Sequence, residues 1–255
     1  YTCICIIKNE NGKLAYHKCL PSELKNIKDF NEFDYAEFDW KKGWLLVNDN
    51  TVLTNIQHIQ RTGVPLESLV DIKNGFATLR NDVFVLTPIE EDESYYYVEK
   101  NGKYYSVEKA ICREAIKPNA ISDEINIEKY IYPLIFPYQK RGSLIKIIDE
   151  KNLKNLYPKA YAYLSDFKEV LIKRDKGNRQ YAAWYAYGRT QALRLEGYKL
   201  FFPYMASHPI FILSEDEHLL FYNGYALVSK DLKLLRLLKK ILSSSVFWYY
   251  VQHHS

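Results

Sequence analysis

The residue types here that could do chemistry are cations and amides rather than a catalytic set. Lys73, Arg80, Lys140, Arg141, Lys173, Arg174, Lys176, Arg179, Arg189 and Arg194 fall in or near stretches that read as loops and helix ends. Cations so placed can take phosphate oxygens, contacts that position a duplex without reading its sequence. Asn81, Asn178, Gln180, Arg189 and Gln191 carry groups suited to base edges. A bidentate pair of that kind is worth roughly 1–3 kcal/mol of discrimination. Taken singly, each of these side chains is more often a solvated surface residue than a contact. Their combination with interleaved Tyr and Trp is what favours a binding surface.

Catalytic patterns are missing. The chain has no G-x-S-x-G, no H-E-x-x-H, no Walker loop and no G-x-G-x-x-G. His208 and His218 flank a strand and a turn with no cysteine or carboxylate at ligand spacing, and His253 and His254 close the chain. Glu108-Lys109 reads as a solvent-facing pair on a helix. Cys3, Cys5, Cys19 and Cys112 lack metal-site spacing and read as free thiols of a reducing compartment.

The elements that must position the cations organise around Val64 to Leu86. Leu66, Leu69, Val70 and Ile72 suit a short helix or a helix-to-strand transition. Gly75 permits a tight turn or a close approach. Thr78, Arg80, Asn81 and Asp82 form a compact polar group, and Val83 to Leu86 reads as a buried strand. Before this stretch, Tyr1 to Ile7 and Lys13 to Cys19 read as a hairpin about Asn11-Gly12. Leu24 to Trp40 reads as an aromatic, acidic linker, and Thr51 to Gln60 as a helix. After it, Tyr95 to Val98 and Lys103 to Val107 read as a hairpin about Asn101-Gly102. Val107 to Ile116 reads as a short amphipathic helix, Tyr130 to Tyr138 as an extended run, and Leu144 to Ile148 as a strand. Ala160 to Arg174 reads as a helix ending in a flexible basic patch, and Ala182 to Tyr187 as a further helical turn. Ile210 to Leu213 reads as a strand, and Leu219 to Val228 as a strand pair bent at Asn223-Gly224. The Leu232, Leu235, Leu238, Leu242 stripe predicts a closing helix capped by Ser229 or Asp231, interrupted at Ser243-Ser244-Ser245.

A chain of 255 residues can hold one large domain or two small ones. Its 35 Lys and Arg against 31 Asp and Glu give a net charge of +4, which permits nucleic-acid binding without arguing for it. No apolar run is long enough to span a bilayer, so no membrane partner is expected. The chain begins at Tyr1 without a basic-then-apolar leader, and reads as a cytoplasmic piece of a longer protein.

With these residues in view, the chain resembles the C-terminal specificity (target recognition) domain of N6-adenine DNA methyltransferases and of type IIG restriction-modification enzymes. Leu69, Ile72, Gly75, Ala77, Thr78, Asn81, Asp82 and Phe84 look like that family's opening motif. Val107 to Ile111, ahead of Arg113 and Lys117, resembles the next. Phe136-Pro137-Tyr138, Trp184-Tyr185, Gly188-Arg189 and Phe202-Pro203-Tyr204 match its central markers, and Leu237 to Ser244 with Phe247 to Tyr250 its closing helix. The likeness runs from about Gly63 to His254. It departs after Pro203, where Tyr204-Met205-Ala206 stands in place of a basic residue.

The resemblance implies an α+β fold: a mixed-sheet DNA recognition domain over 63–255, closed by a C-terminal helix. A linker and short helix over 21–62 would precede it, and 1–20 would be the last strands of a methyltransferase domain. It implies double-stranded DNA and that intramolecular methyltransferase domain as partners. The Asn-Pro-Pro-Tyr motif is absent here, so no cofactor is expected on this chain, and S-adenosylmethionine is expected on the other domain. Lys73, Thr78, Arg80, Asn81, Lys140, Arg141, Lys176, Asn178, Arg179, Arg189 and Gln191 become the candidate DNA contacts, with Gly75, Phe136, Pro137, Trp184, Gly188 and Pro203 as structural markers. A fragment of a type I-like specificity subunit, or an interaction module without a DNA role, are the competing readings.

Overall fold

Two units divide the chain, Tyr1–Pro65 with Ser245–Ser255, and Leu66–Ser244. The computed structural model describes residues 13–17, 19–28, 30–34, 47, 49–122, 126–142, 144–177 and 179–254. In the first unit, β1 (Lys13–Tyr16) pairs antiparallel with β2 (Asn31–Asp34), Tyr16 opposite Asn31. The expected partner strand 1–7 and its Asn11-Gly12 turn lie outside the described residues. Within the expected linker over 24–40 lies β2, while residues 29 and 35–40 of it are outside the described residues. Helix α1 (Asn50–Thr62) starts where the Asp49 carboxylate accepts from Thr51 N at 2.6 Å and ends where Gly63 N donates to Ile59 O at 3.0 Å.

The second unit opens with a 3-10 turn, Leu66–Ser68, and β3 (Asp71–Asn74). Helix α2 (Asn81–Phe84) follows, then β4 (Glu90–Glu91), β5 (Tyr95–Lys100) and β6 (Lys103–Glu108). Next come β7 (Cys112–Ile116), β8 (Ile131–Ile135), β9 (Tyr138–Arg141) and β10 (Leu144–Ile147). Helices α3 (Glu150–Leu156), α4 (Pro158–Asp166) and α5 (Lys168–Ile172) lead to β11 (Tyr198–Phe202), β12 (Ile212–Ser214), β13 (Leu220–Phe221), β14 (Tyr225–Ser229) and α6 (Leu232–Leu242). The fold is mixed α+β. A four-stranded antiparallel sheet runs β12-β11-β14-β3, and α6 packs on it through Leu235, Leu238 and Leu242. A three-stranded sheet runs β13-β7-β8, a meander runs β4-β5-β6, and β9-β10 form a hairpin. Helix α7 (Ser245–His254) belongs to the first unit, where Asn55 and Gln60 donate to the Tyr249 and Tyr250 hydroxyls at 3.2 and 3.3 Å.

Several expectations are corrected. Of the run Val83 to Leu86, Val83, Phe84 and Leu86 are buried; Leu79 at φ 63° and the Thr78 hydroxyl redirect the chain into α2 as far as Phe84, and Val85 takes the expected extended backbone, bridging Leu134 antiparallel. Tertiary context here overrides the β preference of Val83. The helix expected over Val107 to Ile116 is a single 3-10 turn, Lys109–Ile111, followed by β7, which is claimed as a strand by β8 on one side and β13 on the other. Ala182 to Tyr187 forms a turn rather than a helix, closed by Ala186 N donating to Ala183 O at 2.9 Å. The pair expected over Leu219 to Val228 splits between sheets, β13 with β7 and β14 with β11 and β3. Glu108 is not a solvent-facing helix residue. Its carboxylate accepts from Lys159 N at 2.8 Å and Ala160 N at 2.7 Å, capping α4, whose own Tyr157 supplies no side-chain cap.

Burial of hydroxyl and thiol groups makes stability depend on alkaline pH. Desolvation raises the phenols of Tyr138, Tyr185 and Tyr222, and the thiol of Cys112, to about 12. Each is held protonated more firmly folded than unfolded. Their contribution is complete below the unfolded values, 10.0 for tyrosine and 9.0 for cysteine, and is lost as pH climbs toward about 12. Lys199 works the other way. Its amine donates to Gly197 O and Glu217 O at 2.8 and 2.6 Å, and burial lowers it from 10.5 to about 8, so its penalty on folding is full below about 8 and is relieved as pH rises to 10.5. Three phenols and a thiol outweigh one amine. The expected result is a melting temperature that falls steeply between pH 10 and 12, read by circular dichroism. A flat profile there would contradict these burial assignments.

Candidate nucleic-acid interface

After β3 the backbone crosses a crowded point. Gly75 N donates to Gly224 O at 3.1 Å and Phe76 N to Phe221 O at 3.2 Å. A Cβ on residue 75 would sit 2.7 Å from Phe221 O and 2.8 Å from Tyr222 Cα, so glycine is required by close approach. Ala77 then exchanges two hydrogen bonds with Arg189, N to O at 3.0 Å and O from N at 2.9 Å. That exchange fixes the backbone at 188–190.

Tyr187 anchors the same segment from inside. Its ring stacks on Phe76 at 5.3 Å and meets Phe84 and Tyr138 edge-on at 5.1 and 5.0 Å. Its hydroxyl donates to Ile135 O, and its backbone N donates to the Tyr138 hydroxyl at 2.6 Å. Edge-to-face pairs of this kind add roughly 0.5–1.5 kcal/mol each beyond area burial.

Arg174 is the second anchor, and it corrects the reading of a flexible basic patch at the end of the 160–174 helix, because it is itself buried. It is 3% exposed. Nε donates to Leu171 O at 2.6 Å, Nη1 to Ala186 O at 2.7 Å and Thr78 O at 3.1 Å, and Nη2 to Trp184 O at 2.8 Å. Its guanidinium also lies 4.5 Å from the Tyr181 ring centroid. Burial lowers its pKa, yet the side chain ties the end of α5 to the 78 and 184–186 segments.

Between these anchors and β9-β10 lies a cleft of about 690 Å³. Arg179, Gln180 and Tyr181 line it from one segment, and Arg189, Thr190, Gln191 and Arg194 from another. Tyr138, Ile145 and Ile147 contribute apolar surface. No Asp or Glu lines it. Among the described residues none of the three arginines has an ion-pair partner. The Arg179 guanidinium lies 5.7 Å from the Tyr181 ring, whose hydroxyl is buried without a hydrogen-bond partner among the described residues. Unneutralised cations in a concave site focus positive potential. Glutamines add donor–acceptor pairs, and the tyrosine adds a stacking face.

Other candidate contacts stand elsewhere. Thr78 is fully buried: its hydroxyl donates to Asn81 Oδ1 at 2.6 Å and accepts from Arg80 N at 3.0 Å. Both Thr78 and Asn81 thus hold the turn into α2. Arg80 is forked onto Asp82, Nε to Oδ1 at 2.9 Å and Nη2 to Oδ2 at 2.6 Å, which raises the arginine pKa and lowers that of the aspartate. Lys73 pairs with Asp71 at 2.9 Å and Lys140 with Glu196 at 2.7 Å. Lys176 is exposed in a left-handed turn, Asp175 to Gly177, with φ of 51°, 56° and 71°. The Arg141 side chain and all of Asn178 lie outside the described residues. Among the markers, Phe136 and Pro137 lead into β9, and Trp184 donates to Glu150 at 2.9 Å. Gly188 packs against Leu79. Past Pro203, Tyr204 donates from its hydroxyl to Asn74 Oδ1 at 2.8 Å. Tyr181 and Thr190 carry no sequence signal of their own beyond lying within two residues of a candidate arginine.

No protein-family model matches the chain. Over 211 residues, 76% of its length, it is 29% identical to the type II restriction enzyme and methyltransferase RM.Eco57I of Escherichia coli. This chain is similar to a restriction–modification enzyme. The matched region is 21% of that relative, so the chain spans about a fifth of its length. Among the described residues no group of three or more His, Cys, Asp or Glu side chains could hold a metal ion, and no helix is long and apolar enough to cross a membrane.

Proposed function

We propose that this chain is the double-stranded DNA recognition part of a cytoplasmic type II restriction–modification adenine methyltransferase. It would grip the duplex and direct methylation carried out by another domain of the same protein. The cleft carries the reading: three arginines without carboxylate partners, two glutamines and a tyrosine converge on it from two chain segments. Similarity to a type II restriction enzyme and methyltransferase supports the same assignment. Such an enzyme extrudes its target base into a catalytic pocket, and an element that holds the flanking duplex would support that step. The methyltransferase domain would supply S-adenosylmethionine.

The purified chain should bind a random-sequence duplex pool in an anisotropy titration, more weakly as salt rises. An unlabelled duplex of its selected site should compete better than scrambled duplex. Absence of any duplex binding at 50 mM salt would refute the reading, and would favour an interaction module.

A further inference from the structure

The two segments that line the cleft are built differently, and the difference divides their labour. Arg189 has its backbone pinned by both hydrogen bonds to Ala77. Buried Tyr187 and Gly188 precede it. Gln191 opens a 3-10 turn, Gln191–Arg194, whose Ala192 and Leu193 are buried and whose Leu193 N donates to Thr190 O at 3.0 Å. Arg179 follows the left-handed Asp175 to Gly177 turn, and no backbone hydrogen bond among the described residues holds 179–182. Base readout demands donors held in register by rigid support, whereas phosphate contacts tolerate adjustment.

We propose that Arg189 and Gln191 are the base-reading pair of the cleft and that Arg179 is a phosphate contact. This rests on the reading of the chain as a duplex-recognition domain. Arginine pairs its fork with guanine O6 and N7, and glutamine pairs its amide with adenine N6 and N7. Two residues apart, the side chains can reach neighbouring base pairs, which stack about 3.4 Å apart. The selected site therefore contains a guanine with an adenine at or next to the adjacent step.

The test is site selection from a random duplex pool by the whole chain, followed by titrations of the selected site and its single-base variants at several salt concentrations. Arg189→Ala should relax preference at one guanine, roughly 5- to 150-fold. Arg189→Lys keeps the charge but not the fork, so it should relax the same position while leaving the salt dependence unchanged. Gln191→Ala should relax the neighbouring adenine. Arg179→Ala should weaken every sequence alike and reduce the salt slope by about 0.9. The assignment is overturned if Arg189→Lys keeps full guanine preference while the unmodified chain selects a site, an outcome that leaves duplex recognition standing. If the unmodified chain binds no duplex, recognition and assignment fall together.

Discussion

Replacing Arg174 by Met lowers the melting temperature by on the order of 10 °C, from a loss of about 3–5 kcal/mol. The substitution keeps hydrophobic volume and removes the cost of burying a charge. It also strips the donors from four carbonyls, those of Leu171, Thr78, Ala186 and Trp184, three of them on segments remote from α5. A buried acceptor left unpaired costs roughly 1–3 kcal/mol, so the loss outweighs the relief. Lys176→Met, two residues along and exposed, should change stability by less than about 0.5 kcal/mol. Thermal melts of the two variants side by side give the answer. Equal melting temperatures would mean that Arg174 is not the tie between these segments.

The second large effect concerns binding. A triple change of Arg179, Arg189 and Arg194 to Gln should weaken duplex affinity on the order of 100-fold or more, combining lost counterion release with a lost base contact. A triple change of Lys73, Arg80 and Lys140 to Gln removes the same formal charge. Those cations already face Asp71, Asp82 and Glu196, so their loss should cost far less. Comparing the two triples at one salt concentration separates local cleft charge from net charge. Similar losses in both would indicate general electrostatic attraction rather than a built site.

Which of these features the sequence could disclose follows from the range of the interactions behind them. Local chemistry was readable. Asn101-Gly102 takes the left-handed backbone, φ 53° and 74°, that a tight hairpin needs, and the leucine stripe of α6 with Asp231 as its cap follows from spacing alone. Gly75 was readable as a close approach, though not that its neighbour is Phe221 and Tyr222 of the same chain. What failed depended on partners distant in sequence. Residues 112–116 carry helical spacing, yet strands β8 and β13 determine their conformation. Arg174 reads as one more surface cation because its acceptors are backbone carbonyls, which every residue has. Glu108 reads as solvent-facing because the helix terminus it caps begins fifty residues later. The cleft itself was half visible: Arg179, Gln180, Arg189, Gln191 and Arg194 were candidates, but nothing in the sequence separates them from Arg80, whose charge Asp82 neutralises locally.

The most direct test of the cleft as the DNA interface is photo-crosslinking. A benzoylphenylalanine is placed at Thr190 in one variant and at Tyr104, 69% exposed on the β5-β6 hairpin, in another. Each is irradiated with saturating duplex DNA. A covalent protein–DNA adduct from position 190 and little from 104 is the result predicted. Adduct from 104 with none from 190, under conditions where titration shows the duplex bound, would contradict the account.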